Sequence, residues 1–243
     1  MDGYAGKILS IDISARSITA LPTIKYEGWV GGHGMGSALF FDRVKDKTID
    51  GFHPENLITL MASPLSGTLV PSGAARTEVQ GIGVQSWPIG WFTRSNFGGR
   101  FAAMLKYAGW DGIVIQGKAD SQVWIDIRDQ VVKIQECEPL KLWGTTTWEC
   151  QQIIWDEVAG KGAYKDWFRI NKKTDMSDEY ATTQRPAVLA VGPAGENLGR
   201  MACLLHDAAN AAGQGGFGAV FGTKGLKAVS VLGTGSIKVH DPK

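Results

Sequence analysis

The stretch Ser95-Asn96-Phe97-Gly98-Gly99 leads into Arg100 to Tyr107, a run that reads as helix. Ala108-Gly109-Trp110-Asp111 stops that helix, and Gly112 to Gln116 reads as a buried strand closed by Gly117. The same order of parts returns near the C-terminus. Gly213-Gln214-Gly215-Gly216 precedes a short run to Phe221, Gly222 stops it, and Leu226 to Leu232 reads as a strand closed by Gly233. Gly99 to Gly117 spans 18 positions and Gly216 to Gly233 spans 17. A chain that builds one glycine-rich loop twice is suited to two ligands, or to one ligand with two similar halves.

Such loops suit anions for a physical reason. Glycine lets the backbone approach a ligand closely and reach positive φ without strain. The first N–H groups of a helix lack intrahelical partners and sit at the positive end of its dipole. A phosphate can rest there without a cationic side chain. The same glycines would also serve as plain helix–strand turns.

Around this repeat the chain reads in order. Lys7 to Ile13 and Ser17 to Leu21 alternate as a hairpin, and Gly31-Gly32-His33-Gly34-Met35-Gly36 forms another glycine-rich loop before a helix from Ser37 to Val44. Leu57 to Ala62 and Thr77 to Val84 are strands, Val123 to Ile127 and Val131 to Gln135 a second hairpin, Thr147 to Val158 a helix, and Ala187 to Val191 a strand. Residues 160–183 are the one long polar stretch and read as a surface insertion in a domain spanning 1–236. Residues 237–243 read as a linker or a cut end. Eight or nine strands mixed with four helices predict an α+β fold. Two β-sheets pack face to face, with flanking helices outside and an internal pseudo-two-fold repeat.

Composition excludes several classes. Lys+Arg 25 against Asp+Glu 24 leaves +1 with no long basic run, which argues against a nucleic-acid surface. No apolar window is long enough to span a membrane, and Met1 to Ser10 lacks the marks of a signal peptide. Cys137, Cys150 and Cys203 form neither a CxxC pair nor an even disulfide set, which points to a reducing cytoplasm. Gly213-Gln214-Gly215-Gly216-Phe217-Gly218 matches G-x-G-x-x-G, but no strand is read directly before it and no Asp or Glu occurs from Ala208 until Asp241. The dinucleotide fingerprint needs both. The histidines show no metal spacing, and His206-Asp207, just before the second loop, is the best candidate for catalysis. The residues by themselves offer phosphate-cradling loops and one notable cation, Arg76, but no complete catalytic set.

Further motifs are Tyr4-Ala5-Gly6-Lys7-Ile8-Leu9, Asn56-Leu57-Ile58, Pro64-Leu65-Ser66-Gly67-Thr68, Pro71-Ser72-Gly73-Ala74-Ala75-Arg76, Leu105-Lys106-Tyr107-Ala108-Gly109-Trp110-Asp111, Gly192-Pro193-Ala194-Gly195-Glu196-Asn197 and Gly218 to Ala228. With them the chain resembles the N-terminal domain of the tungsten-containing aldehyde ferredoxin oxidoreductases over nearly its whole length. The resemblance implies a tungsten (or molybdenum) bis-pyranopterin whose phosphates meet at magnesium, lying on a base of two sheets. It implies Asn96 and Ala211 as magnesium ligands through oxygen, and Arg76 between pterin and iron–sulfur cluster. It also places Ser95, Gly98, Gly99, Asn210, Gly213, Gly215 and Gly216 at the cofactor. A 4Fe-4S cluster, a ferredoxin-type electron carrier and an oligomeric assembly are implied as well. Two arginines common in the family near the second loop are here Asn210 and Gln214. The family's cluster cysteines lie beyond this region, so the remaining domains or a separate subunit must carry them. The alternatives are a structural subunit that has lost the cofactor, and a free-standing nucleotide or phosphate binder.

Overall fold

The computed structural model describes residues 2–71, 73, 75–159, 168–170, 180–182, 184–207 and 209–241. The first half opens with a hairpin of β1 (Lys7–Asp12) and β2 (Ser17–Pro22), then a 3-10 turn at Thr23–Trp29 and α1 (Gly32–Arg43). It continues with β3 (Ile58–Met61), β4 (Thr77–Ile82), β5 (Phe92–Phe97), α2 (Phe101–Tyr107) and β6 (Gly112–Gln116). The second half repeats the plan with β7 (Val123–Arg128), β8 (Val131–Glu136) and α3 (Thr147–Ala159). A small antiparallel pair, β9 (Phe168–Ile170) and β10 (Tyr180–Thr182), precedes β11 (Ala187–Val191), the short α4 (Pro193–Glu196), β12 (Leu204–His206) and β13 (Asn210–Ala212). A 3-10 turn at Gln214–Gly216, α5 (Phe217–Thr223) and β14 (Leu226–Leu232) complete it.

The two large sheets have the same topology. One runs β2-β1-β6-β3-β4-β5 and the other β8-β7-β14-β11-β12-β13. In each, the first strand of the hairpin pairs parallel with the strand that follows the glycine loop, as β1 does with β6 and β7 with β14, and every other pair is antiparallel. The predicted α+β class and its internal pseudo-two-fold are borne out.

Side-chain alternation builds the layers, because successive residues of a strand face opposite sides. Leu9 and Ile11 of β1 and Ile113 and Ile115 of β6 face the core shared by both sheets, while Ile8 and Val114 face away. On that outer side Met35, Leu39, Phe40 and Val44 bring α1 against them. In the other sheet Val229 and Val231 face the shared core, and Ala228 and Leu232 meet Cys150, Ile154 and Val158 at α3. The expectation of helices only outside is corrected at one point. Phe101, Met104 and Leu105 of α2, with Phe217, Val220 and Phe221 of α5, belong to the shared core, so these two helices lie between the sheets. A seven-residue helix buried nearly all round carries little amphipathic signal, which is why its place is not legible from its pattern.

Counting also changes. There are fourteen strands and five α-helices among the described residues, more than the reading of eight or nine and four. The strands β5, β9, β10, β12 and β13 and the short α4 are the additions, and α1 starts at Gly32 rather than Ser37. Most of 160–183 lies outside the described residues. Residues 237–241 fold back on the start of the chain, where Gly3 donates its N–H to the Lys238 carbonyl at 2.7 Å.

Charged groups inside this fold are paired or bonded to carbonyls, as burial requires. Asp111 accepts from the N–H groups of Ala5 and Gly6 at 2.8 Å each, from Thr23 Oγ1 at 2.6 Å and from the buried Lys106 ammonium. Lys227, also buried, pairs with Glu196 and reaches the Thr145 carbonyl at 2.8 Å. Among the described residues Lys224 is hydrogen-bonded to the carbonyls of Pro54 and Gly117, each at 3.0 Å, and burial, against a weaker pull from Asp12, pushes its amine down to about 7.

Lys224 makes stability depend on pH in a stated direction. Between about 7 and the ordinary 10.5 the unfolded chain binds a proton that the folded chain does not, so stability rises with pH across that window. The slope should flatten in Lys224→Met. Urea midpoints of both proteins at about pH 7 and about pH 9 test this, and equal slopes would count against it.

Candidate functional site

Strands β5 and β13 are the outer strands of their sheets, and they lie side by side. A Cβ placed on Gly98 would stand 2.9 Å from Asn210 Oδ1, and one on Gly215 would stand 3.1 Å from Thr93 Cγ2. One strand ascends as the other descends, so Gly98 and Gly99 lie by the start of β13 and Gly215 by the start of β5, one glycine loop at each end of the join. Register makes the equivalence specific. Asn96 is opposite Glu78 in β4, one step in from the Thr77–Phe97 pair. Ala211 is opposite Leu205 in β12, one step in from the Leu204–Ala212 pair. Asn96 and Ala211 therefore hold the same place in the two halves, as do Ser95 and Asn210.

Each loop is held by the opposite half. Arg100 donates its N–H to His206 Nε2 at 3.2 Å, and its guanidinium grips both Asp207 oxygens at 3.0 and 3.1 Å. The same guanidinium reaches the Pro186 carbonyl at 2.9 Å and the Arg185 carbonyl. In the reciprocal direction Gly215 donates to Gln85 Oε1 at 2.8 Å and accepts from the Val84 N–H at 2.9 Å. Arg200 Nη1 donates to the Val84 carbonyl at 2.8 Å.

His206 is fully buried, between the rings of Phe97 and Phe101 with centroids 5.8 Å away. Its Nδ1 lies 2.9 Å from the Val188 carbonyl and so carries the proton, which leaves Nε2 to accept from Arg100. Its ring fills the space a Gly99 side chain would need, at 2.7 Å from that Cβ position, and Gly99 has φ of +82°. His206 is thus a support beneath the first loop, not the accessible catalytic group that its sequence neighbourhood suggested. Burial pushes Asp207 up, but the Arg100 fork outweighs it and holds its carboxyl below the usual range.

Arg76 is exposed and donates from Nη1 to Asn96 Oδ1 at 2.7 Å. Asn96 sits within β5 and caps no helix, because α2 starts after Arg100 without a side-chain cap. Its amide oxygen keeps a second lone pair beyond the one Arg76 uses. Ala211 and Gln214 are exposed, Gly98, Asn210 and Gly213 half-buried, and Ser95, Gly215 and Gly216 buried. A strand, β13, does end directly before Gly213, contrary to the reading. It is an outer antiparallel strand with no acidic residue after it until Asp241, so the dinucleotide pattern still fails.

Sequence reasoning missed the polar face beside Asn96. Alternation in β4 puts Glu78 between Arg76 and Gln80 on that face, a signal the strand pattern did contain. Arg94 reaches Glu78 at 3.4 Å. Gln80 Nε2 donates to His33 Nδ1 at 2.6 Å, so that nitrogen, 3.3 Å from Glu78, offers no proton to it. Burial pushes the thiols of Cys137 and Cys150 up to about 12. Among the described residues no group of His, Cys, Asp and Glu could hold a metal ion, and no helix is long and apolar enough to cross a membrane.

Two like half-domains thus meet along β5 and β13, with a glycine loop at each end of the join. The chain belongs to the aldehyde ferredoxin oxidoreductase N-terminal domain family, whose profile matches residues 8–233. It is 35% identical to a tungsten-containing aldehyde ferredoxin oxidoreductase of Pyrococcus horikoshii over 99% of this chain and 35% of that protein. It is 30% identical to the aliphatic sulfonate oxidoreductase, WOR-like subunit, of Pyrococcus furiosus over 99% of this chain and 36% of that one. A solved relative is the active site complex BamBC of benzoyl coenzyme A reductase with 1,5-dienoyl-CoA, at TM-score 0.81 and 31% identity. The match covers 97% of this chain and 32% of that chain. The chain spans about a third of the length of the relatives it matches.

The cross-half clamp predicts a stability effect. Arg100→Leu leaves Asp207 and two carbonyls without their donor and should cost about 2 kcal/mol. Arg94→Leu, which loses one 3.4 Å contact on an exposed arm, should cost about 0.5 kcal/mol or less. Urea denaturation compares the two, and equal costs would remove the clamp from the account.

Proposed function

We propose that this chain is the cofactor-bearing base of a tungsten oxidoreductase whose other domains, or a partner subunit, supply the rest of the active site. The observation that carries this reading is the antiparallel apposition of the two equivalent strands β5 and β13, with Asn96 and Ala211 in matching places. A metal held between two like pterin groups needs a platform with that symmetry.

The residues present fit such a group. Asn96 supplies a hard amide oxygen and Ala211 an exposed backbone position, the donor types that suit magnesium bound to phosphates. Gly98 and Gly213 are half-buried, with Asn210 Oδ1 beside the first and Cys203 Sγ beside the second. The helix-start N–H groups contribute less than the sequence implied, because Arg100 N and Gly215 N are already bonded within the protein. The positive charge at this face comes from Arg76 and Arg94. When bound, the tungsten pterin supplies the two-electron redox chemistry. The chain's own part is to seat it, with Arg76 as a planar fork able to join two acceptors at once. The substrate is an aldehyde or a related compound, and electrons leave through a 4Fe-4S cluster held outside this chain toward a ferredoxin-type carrier in the cytoplasm.

The uncharged Asn210 and Gln214 favour one second reading, a structural subunit that keeps the fold without the cofactor. Metal and pterin analysis of the natively purified assembly separates the two. Tungsten or molybdenum with about two pterins per chain supports the first reading; a metal-free, pterin-free assembly overturns it.

Asn96→Leu tests the seat. It removes the oxygen at similar volume and should lower pterin and metal occupancy severalfold while far-UV circular dichroism stays unchanged. Full occupancy in the variant would show that Asn96 is no ligand. Arg76→Lys should leave metal content near normal but slow cluster reduction in the complete enzyme, because an ammonium cannot span two acceptors in a plane. Unchanged reduction kinetics would contradict that role.

A further inference from the structure

A second concavity lies at the other end of the first sheet. It is a cleft of about 350 Å³ lined by Asp12, Ser14, Arg43, Lys45, Glu55 and Gln116, with Val44, Pro54, Leu57 and Gly117. Asp12 and Gln116 end β1 and β6, and Arg43 ends α1. Asn56, in the loop along its edge, is bonded to Ile82 at the far end of β4 from the Thr77–Phe97 pair. The cleft therefore lies at the opposite end of β4 from Asn96 and the first glycine loop, at the end where Gly215 of the second loop accepts from Val84.

Its charges are unequally satisfied. Asp12 accepts from the N–H groups of Ser14 and Ala15 at 3.0 Å and from Gln116 Nε2 at 2.8 Å. Partial burial pushes its carboxyl up, but these donors outweigh it and keep it below the usual range. Arg43 is half-buried, and its one recorded bond among the described residues is a long one, 3.4 Å from Nη2 to Gln116 Oε1. A guanidinium has five N–H donors, so most of its capacity faces the cleft or water unused. Lys45 stands exposed on the same wall. Beneath the floor, Lys224 is bonded to the carbonyls of Pro54 and Gly117, both lining residues, with no carboxylate of the described residues within ion-pair distance. The acidic members are Asp12, already satisfied, and Glu55, exposed at the rim. Val44, Pro54 and Leu57 give one side an apolar surface. A volume of this size, lined partly by apolar groups with a few convergent polar ones, is that of a small-molecule site rather than a single-ion site.

We propose that this cleft binds a small organic oxyanion, with Arg43 as its main contact, Lys45 at the rim and the apolar wall against its carbon skeleton. The shared chemistry is a phosphate or carboxylate head that an arginine fork can bind through two parallel bonds. No residue of either glycine loop lines this cleft.

Titration of the 15N-labelled protein with inorganic phosphate and, separately, with malonate tests this and distinguishes the two heads. Amide shifts should move at Ser14, Gln116 and Gly117 with at least one probe. Arg43→Gln should weaken that binding at least tenfold, and Lys45→Gln, an exposed change that leaves folding intact, about threefold. Shifts confined to Asn96–Gly99 or Gly213–Gly216, no saturable shift with either probe, or undiminished affinity in both variants would overturn the proposal. Should Arg43→Gln fold poorly by circular dichroism, the Lys45→Gln affinity and the wild-type shift map decide the matter.

Discussion

The structure depends on the way each half holds the other's loop. Arg100, at the end of the first glycine loop, spends its backbone N–H on His206 and its guanidinium on Asp207 and two carbonyls of the second half. Gly215, in the second loop, exchanges bonds with Val84 and Gln85 of the first. The outer strands of two sheets would otherwise be open edges inviting other chains. Here they cover each other, and the join becomes the platform. Gly99 is required at that join both by its positive φ and by the His206 ring, which leaves no room for a side chain.

Placing α2 and α5 between the sheets follows from the same join. A helix that starts at a loop beside that join has the opposite sheet beside it, so it must be apolar on nearly every side. Lys106 and Lys224 are then carried into the interior at the ends of these helices. Each is accommodated differently, Lys106 by Asp111 and the Gly3 carbonyl, Lys224 by two carbonyls. The Lys106–Asp111 pair costs desolvation but also ties Ala5, Gly6 and Thr23 to the turn before β6. These groups are why Leu105 to Asp111 and Gly218 to Ala228 stand out in the sequence: they carry buried polar partners, not surface chemistry.

For function, the join redistributes the expected polarity. Two of the N–H groups that a glycine-rich helix start would offer to a phosphate are consumed by the protein itself. On the proposed reading, the exposed Arg76 and Arg94 would supply the electrostatic part of a cofactor seat, and Asn96 and Ala211 the oxygen part. The chain spans about a third of the length of its relatives, and that reading leaves the reacting groups to the rest of the assembly.

The amino-acid sequence by itself determined the repeat, the two hairpins, the apolar central strands and the family, because these rest on local periodicity and on glycine at fixed intervals. It marked Arg76, Asn96 and the paired glycines by position. It did not reveal β5, β12 or β13, whose few residues mix polar and apolar types because one side meets the other half. It pointed to His206 as a reactive group, since a histidine beside an aspartate looks the same whether exposed or buried. Only the tertiary structure decided that the ring lies under Gly99 with both nitrogens spent, that Asn96 and Ala211 share one register position, and that Glu78 stands across from Asn96. Those facts depend on which strands end up side by side, whether the partners are 18 positions apart, as Glu78 and Asn96 are, or more than a hundred, as Gly99 and His206 are.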